Sequence, residues 1–169
     1  MDKYIFLDID GVIATPASIE NGFWGLTDQC QNFLGEILNN TGSKLVISSS
    51  WRENTVEKTQ RKLSENNFRY SEYIVGVTIR AYKYIEKGIH LSIPRGVEIK
   101  QWIDCNIHSN NGKNFIKKKN GVDFAYLILD DDNDFLLEQK NNFIRTNSTI
   151  GLSKNDVIKS IKILNKKYN

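Results

Sequence analysis

Two aspartates, Asp8 and Asp10, follow a short apolar stretch in the sequence FLDIDGV, with Gly11 directly after them. Carboxylates at the end of a buried strand repel each other and lose hydration unless a positive charge lies close to them. Asp and Gly are also common turn residues, so this stretch alone is equally consistent with a simple tight turn. The rest of the chain must decide between a reactive site and a turn.

Hydrophobic periodicity predicts alternating strands and helices along the chain. The predicted strands are 4–7, 44–48, 124–129 and 142–146, and the predicted helices begin near Asp28, Asn54, Arg95 and Ser153. Glu57 is in the capping-box position of the second helix, and Asp156 follows Ser153 in the same way. The pattern of residues 67–93 predicts short strands or an irregular insertion. Residues 108–121 are predicted to form a loop or an exposed hairpin.

Alternation of strands and helices predicts an α/β fold, a central parallel sheet with helices on both faces joined by right-handed crossovers. In such sheets the working site lies beyond the carboxyl ends of the strands. Asp8 and Asp10 end the first strand, Ser48 ends the second, and Asp130 and Asp131 follow a later one. We therefore expect these five polar side chains to meet at one edge.

Composition fits one globular domain of 169 residues, with 40% hydrophobic and 25% charged residues. Six of the 20 acidic residues lie in two short clusters, so the rest of the chain carries 23 basic against 14 acidic residues. That excess suggests an anionic partner or a lysine-rich solubility surface. Cys30 and Cys105 match no metal-ligand spacing and are expected to be reduced core residues. No secretory signal or membrane span is predicted, which favours a cytoplasmic protein.

The expected cluster of carboxylates predicts a bound cation, because so many cannot all ionise side by side without one. Mg²⁺ is the natural choice, since it prefers oxygen ligands and binds through a few carboxylates together with a substrate phosphate. The hydroxyl of Ser48 and neighbouring cationic side chains suit the same phosphate. This combination predicts phosphoryl transfer through an aspartyl-phosphate.

The motifs FLDIDGV, ISSSWR, PRGVEIKQWI and LILDDDND, in this order, resemble the haloacid dehalogenase-like (HAD) phosphatases. More narrowly, they are similar to the HAD domains of RNA-repair-associated proteins and to the 3′-phosphatase half of polynucleotide kinase-phosphatases. The resemblance extends from Tyr4 to about Leu152. It implies a Rossmann-like HAD fold, Mg²⁺ as cofactor and a phosphomonoester substrate.

By this resemblance Asp8 is the nucleophile, and Asp10 protonates the leaving oxygen before activating water. Ser48 is expected to bind the transferred phosphoryl group, with Ser49 as the alternative. Gly11 allows the backbone to turn sharply beneath the phosphate.

Asp130 and Asp131 are expected to complete the Mg²⁺ site with Asp8 and Asp10. The two following acids, Asp132 and Asp134, are interpreted as outer or turn residues. They are therefore not included among the metal ligands.

The phosphate-binding cation is the weakest match to the family pattern. Arg95 follows Pro94 at the start of a helix, a favourable position for an anion, and Lys100 lies one turn further. Arg52 resembles a substrate-phosphate contact, although a surface arginine paired with Glu53 is the alternative. Trp51 is either a core residue or a platform for a nucleobase.

The substrate class is predicted from the lengths of the two segments that could cover the site. Between Asp10 and Ser48 there is room for a loop and one helix, and the insertion at about 53–93 has room for a helix and a small hairpin. The aromatic and basic residues of this insertion suit either contact with single-stranded nucleic acid or packing within a hairpin; they are Phe68, Arg69, Tyr70, Tyr73, Arg80, Tyr82, Lys83 and Tyr84. Lysines of the 108–121 loop, Lys113 and Lys117 to Lys119, add positive charge.

An uncovered site would admit RNA or DNA phosphate ends. A small-metabolite phosphatase and a non-catalytic HAD-fold nucleic-acid-binding module remain the alternatives. The sequence does not indicate an oligomeric state.

Overall fold

The central element of the computed structural model is a five-stranded parallel sheet with the strand order β5-β4-β1-β8-β9. The structure describes residues 1–20, 23–86, 89–108 and 124–166. The sheet strands are β1 (Asp2–Leu7), β4 (Lys44–Ile47), β5 (Ile74–Val77), β8 (Phe124–Asp130) and β9 (Phe143–Arg145). The predicted α/β fold with a central parallel sheet is confirmed.

Two antiparallel hairpins stand outside this sheet. The first pairs β2 (Ala14–Glu20) with β3 (Phe23–Leu26), and the second pairs β6 (Tyr82–Glu86) with β7 (Ile89–Ser92). The first hairpin replaces the loop that was expected between Asp10 and the first helix. The segment predicted as an insertion contains the second hairpin, but it also supplies β5, an edge strand of the main sheet that sequence periodicity did not reveal.

The described ranges contain four α-helices: α1 (Asp28–Thr41), α2 (Val56–Glu65) and α3 (Arg95–Ile103) between strands, and α4 (Lys154–Leu164) after the last strand. Thr27 caps α1, and Ser153 forms a capping box with Asp156 at the start of α4. The N-cap of α2 was predicted one residue early, at Asn54. Its N-cap is Thr55, which accepts from the Lys58 amide, so Glu57 does not occupy the capping-box position.

Both faces of the sheet are buried. Successive side chains of β1 point to opposite faces, and each set packs in a separate core. Ile5 and Leu7 belong to the larger core, which includes Leu34 of α1, Leu63 of α2 and Val157 of α4. On the opposite face, Tyr4, Phe6, Val46 and Ile128 pack against Ile99 and Ile103 of α3. Helices therefore cover both faces, as predicted, and α3 alone among the four helices packs in the smaller core.

The two cysteines have different environments. Cys30 is buried in the larger core, as expected, whereas Cys105 is exposed and the expectation that it is a core residue was wrong. Cys105 lies in the turn of π-helix (Asp104–His108) that follows α3, and in this turn it is Ile107, not Cys105, that packs against the smaller core. None of the helices in the described ranges has the length and apolar character needed to cross a bilayer.

Candidate active site

Three neighbouring strands end at the same level and carry the first polar groups of the site. The register pairs Leu7 with Ile47 of β4 and with Leu129 of β8. The amide of Asp8 donates to the carbonyl of Leu129 at 3.0 Å, and the amide of Ser48 donates to that of Leu7 at 2.9 Å. Because β1 lies between β4 and β8, the predicted meeting of their carboxyl ends follows from the sheet order.

Three carboxylates form a compact group at this edge. Asp8, Asp130 and Asp131 each offer an oxygen, and these oxygens all lie within 4.8 Å of one another. The side chains of Asp8 and Asp130 are 8% and 1% exposed, and Asp131 is half-buried. We call these three residues the carboxylate cluster.

Arg95 is the cation that reaches the carboxylate cluster. Its Nη1 lies 3.2 Å from Oδ1 of Asp8 and 3.5 Å from Oδ2 of Asp130, and it also donates to the carbonyl of Ser48. Lys100, the alternative cation, instead pairs with Asp104 at 3.1 Å, and both of these side chains are about half exposed. The structure thus brings Arg95, and not Lys100, to the predicted site.

The position of Arg95 depends on the segment that follows β8. The carboxylate of Asp134 accepts from the backbone amide of Arg95 at 2.9 Å and so satisfies a free amide at the start of α3. Buried Gln139 donates to the carbonyl of Gly96 at 2.9 Å, and a side chain at Gly96 would collide with that glutamine. The outer role predicted for Asp134 is therefore a helix-capping role.

Burial raises the proton affinity of all three clustered carboxyls. It raises the pKa of Asp8 despite the opposing charge of Arg95. It raises the pKa of Asp130 to about 7, with the negative charge of Asp8 adding to the effect. Burial also raises the pKa of the less deeply placed Asp131. A single arginine does not offset the desolvation of these acids, so the cluster favours a further cation.

The donor set fits Mg²⁺ on two further observations. Oδ2 of Asp130 and Oγ of Ser48 are buried and have no hydrogen-bond partner within the described part of the chain. Buried polar atoms are normally satisfied, so such atoms in a cluster of oxygens indicate a place for a ligand. Asp8, Asp130 and Asp131 are the side chains that would hold the ion, which prefers carboxylate oxygens.

The carboxylate of Asp10 is held by donors of its own, close to the carboxylate cluster but not part of it. Its Oδ1 accepts from the indole Nε1 of Trp51 at 3.0 Å, and its Oδ2 accepts from Oγ of Ser50 at 3.2 Å. Its carboxylate, which the sequence placed among the metal ligands, is thus not one of the three that the structure brings together. The other role predicted for Asp10, that of acid and base, stays a prediction.

The two serines predicted as alternatives differ in what their hydroxyls already bind. Oγ of Ser49 accepts from the amide of Trp51 at 3.3 Å, and the Ser49 side chain lies close enough to Asp8 to lower the pKa of that carboxyl against the larger, opposing effect of burial. The hydroxyl of Ser48 has no such partner in the described residues. Ser48 is therefore the better placed of the two to bind a phosphoryl oxygen.

Arg52 is an internal structural residue. Its side chain is 6% exposed, and its guanidinium binds Glu98 at 2.7 Å and the carbonyls of Ser49, Thr78 and Ile79. Because the guanidinium is buried, the alternative of a surface arginine paired with Glu53 was wrong, whereas the role in substrate binding stays a prediction. Glu98 is a buried acid that the sequence analysis missed, because an acid in the first turn of a helix is ordinary.

The described aromatic residues of the 53–93 segment are mostly packed. Phe68 is buried, and Tyr70 and Tyr73 pack against the larger core. Arg69 pairs with Asp28. The structure does not describe the side chains of Tyr82, Lys83 and Tyr84. Lys113 and Lys117 to Lys119 lie outside the described residues.

Gly11 makes room for the carboxylate cluster. It has φ +71°, and a Cβ there would lie 2.3 Å from Cγ of Asp131. Its carbonyl accepts from Oγ1 of buried Thr146 at 2.8 Å, which ties this turn to the end of β9. The predicted sharp turn is present, and its neighbour is a carboxylate of the cluster.

We expect Gly11→Ala to weaken metal binding as well as stability, whereas Gly42→Ala should affect stability alone. Gly42 has a similar φ of +65° at the end of α1, but a Cβ there meets nothing within 4 Å. Both changes cost about 1 kcal/mol for the left-handed backbone. Mg²⁺ titration by calorimetry on both variants checks this, and equal Mg²⁺ affinities would contradict it.

We expect the metal-free protein to lose stability as the pH rises. Because the pKa of Asp130 is about 7 in the folded protein and near 3.8 ordinarily, the folded state retains a proton that the unfolded chain releases. The free energy of unfolding should fall between about pH 4 and pH 7, by up to ~1.4 kcal/mol per pH unit for one proton. Urea unfolding in EDTA at pH 5 and pH 8 measures the slope. Asp130→Asn should reduce it, and an unchanged slope in that variant would contradict the assignment.

The comparison with known families agrees with the motifs and with the geometry. The sequence profile described as "HAD domain in Swiss Army Knife RNA repair proteins" matches residues 4–157. A search of curated proteins found no match. The matched range contains the sheet, the carboxylate cluster, Arg95 and the start of α4. The chain is therefore a member of the family of HAD domains found in Swiss Army Knife RNA repair proteins.

Proposed function

We propose that this protein is a Mg²⁺-dependent phosphomonoesterase that works through an aspartyl-phosphate on Asp8 and acts on nucleic-acid phosphate ends. The observation that carries the proposal is the position of Asp8, a buried carboxylate that lies 3.2 Å from the guanidinium of Arg95 and clusters with Asp130 and Asp131. Membership of the HAD family supports phosphatase-like chemistry. The RNA-repair description of that family supports the substrate class.

Asp8 is oriented for attack by two fixed donors. The amide of Ile9 binds its Oδ1 at 2.7 Å, and Nη1 of Arg95 approaches the same oxygen. The carboxylate attacks phosphorus, the bond from phosphorus to the leaving oxygen breaks, and Asp10 gives that oxygen a proton. Water then attacks the phosphorus of the aspartyl-phosphate, Asp10 takes back a proton, and the Asp8 carboxylate is released with inorganic phosphate.

The remaining residues stabilise charge on the transferred group. Ser48 donates its hydroxyl to a phosphoryl oxygen, and Arg95 contributes positive charge close to where negative charge develops. Mg²⁺ held by Asp8, Asp130 and Asp131 would supply further charge neutralisation for the phosphoryl oxygens. These groups are fixed on strand ends and on a capped helix, so little reorganisation accompanies the reaction.

Few residues are available to cover the site, which favours the end of a polymer as the substrate. Between Asp10 and Ser48 the described chain forms only the β2–β3 hairpin and α1. Outside its two acidic clusters the chain is strongly basic, which favours attraction of a polyanion. We infer that a 3′- or 5′-phosphorylated strand end can approach the carboxylate cluster.

The first test is phosphate release from a 3′-phosphorylated oligonucleotide, its 5′-phosphorylated counterpart and free nucleotides, with Mg²⁺ or with EDTA. We expect release from oligonucleotide ends that needs Mg²⁺, and a loss of ~1,000-fold or more in Asp8→Asn because the nucleophile is removed. Asp132→Asn is the matched control, since Asp132 is an exposed neighbour of the cluster whose carboxylate accepts from the Asn133 amide.

Three results would count against the proposal. Full activity in Asp8→Asn would exclude the aspartyl-phosphate. Release from free nucleotides alone would retain the chemistry and exclude the polymer substrate. Metal-independent binding of oligonucleotides without turnover would indicate a non-catalytic binding module.

Arg95→Ala should lower kcat/KM by ~100-fold or more, because it removes a preorganised charge next to the reacting group. Lys100→Ala removes the same charge from the same helix at an exposed position and should stay within about twofold of wild type. Steady-state kinetics on both variants, with circular dichroism to check that α3 is retained, makes the comparison. Equal losses would contradict the assignment of Arg95.

A further inference from the structure

The carboxylate of Asp10 is held by two donors of different chemistry. Oδ1 accepts from the indole of Trp51 at 3.0 Å, and Oδ2 accepts from the hydroxyl of Ser50 at 3.2 Å. An indole N–H can only donate, whereas a hydroxyl can donate or accept. The two oxygens of Asp10 are therefore not equivalent.

Trp51 is itself fixed from two sides. Its ring packs against the larger core, and its amide donates to Oγ of Ser49 at 3.3 Å. The side chain of Ser49 in turn lies close enough to Asp8 to affect the pKa of that carboxyl. One short turn after β4 thus contacts both carboxylates of the FLDIDGV motif.

We propose that Trp51 is a positioning residue for the acid–base step, which orients Asp10 so that its Oδ2 faces the leaving oxygen. This inference rests on the function proposed above. With Oδ1 bound to a donor that cannot accept, the proton transferred to the leaving oxygen is carried on Oδ2, next to the Ser50 hydroxyl. The bond from phosphorus to the leaving oxygen breaks as that oxygen gains the proton, and water returns a proton to Oδ2 in the second step.

The alternative role for Trp51 is packing alone. The two roles differ in how the effect of a Trp51 substitution on the rate depends on the leaving group. An alkoxide leaving group, such as the end of an oligonucleotide, needs a proton as it departs. A p-nitrophenolate leaving group departs without one. A positioning residue for the acid should therefore matter for the alkyl substrate in the first step and not for the aryl substrate.

The test compares Trp51→Phe with the matched variant Trp102→Phe. Trp102 packs edge-on against Tyr4 and Phe6 in the smaller core, so its replacement makes the same chemical change away from Asp10. In Trp51→Phe we expect the single-turnover rate on the phosphorylated oligonucleotide to fall at least ~10-fold, since general acid catalysis is worth ~100-fold or more. The burst rate of p-nitrophenolate from p-nitrophenyl phosphate should stay within about twofold, and Trp102→Phe should leave both rates unchanged.

Equal losses on the two substrates in Trp51→Phe would overturn the inference and leave the proposed phosphatase function intact. Absence of turnover of either substrate by the wild-type protein would overturn both. A second measurement does not depend on the folding of Trp51→Phe. The indole N–H resonance of Trp51 should move when Asp10 is changed to Ala while that of Trp102 does not, and an unmoved Trp51 resonance would overturn the inference.

Discussion

Close approach of buried carboxylates is the constraint on which the rest of this structure depends. Asp8 and Asp130 are almost fully removed from water, and Asp131 lies beside them. Such an arrangement costs free energy that the fold must offset with positive charge and fixed donors.

The surroundings of the cluster can be understood from that constraint. Arg95 provides a neighbouring charge, Asp134 and Gln139 fasten the helix that carries it, and Gly11 leaves the space that Asp131 occupies. Together these contacts hold Arg95 against Asp8 and Asp130, two acids that come from different segments of the chain.

Much of the fold and the core of the site could be predicted from the sequence, because both follow from periodicity and sheet geometry. The apolar runs that end in Asp8, Ser48 and Asp130 identified three adjacent strands, and parallel strands place their carboxyl ends together. The helix cap at Ser153 was equally readable, since capping is a local interaction between residues three positions apart.

The parts that could not be predicted depend on contacts between distant segments. Arg52 carries the same sequence pattern whether it faces a substrate or Glu98, and only the packing of α3 decides between them. Strand β5 has a glycine at its centre, Gly76, which lowers its strand propensity, and its position comes from pairing with β4. The link between Trp51 and Asp10 joins two turns and leaves no periodic signal.

The sheet order has a consequence for how this protein is made. Strand β1 lies between β4 and β8, and β8 is the later of the two to leave the ribosome. Until β8 pairs with it, β1 has an apolar edge with unpaired backbone groups, which is a template for aggregation. A chain that is interrupted before residue 124 would contain Asp8 and Ser48 without Asp130 and Asp131, so such fragments are expected to be insoluble and to lack the carboxylate cluster.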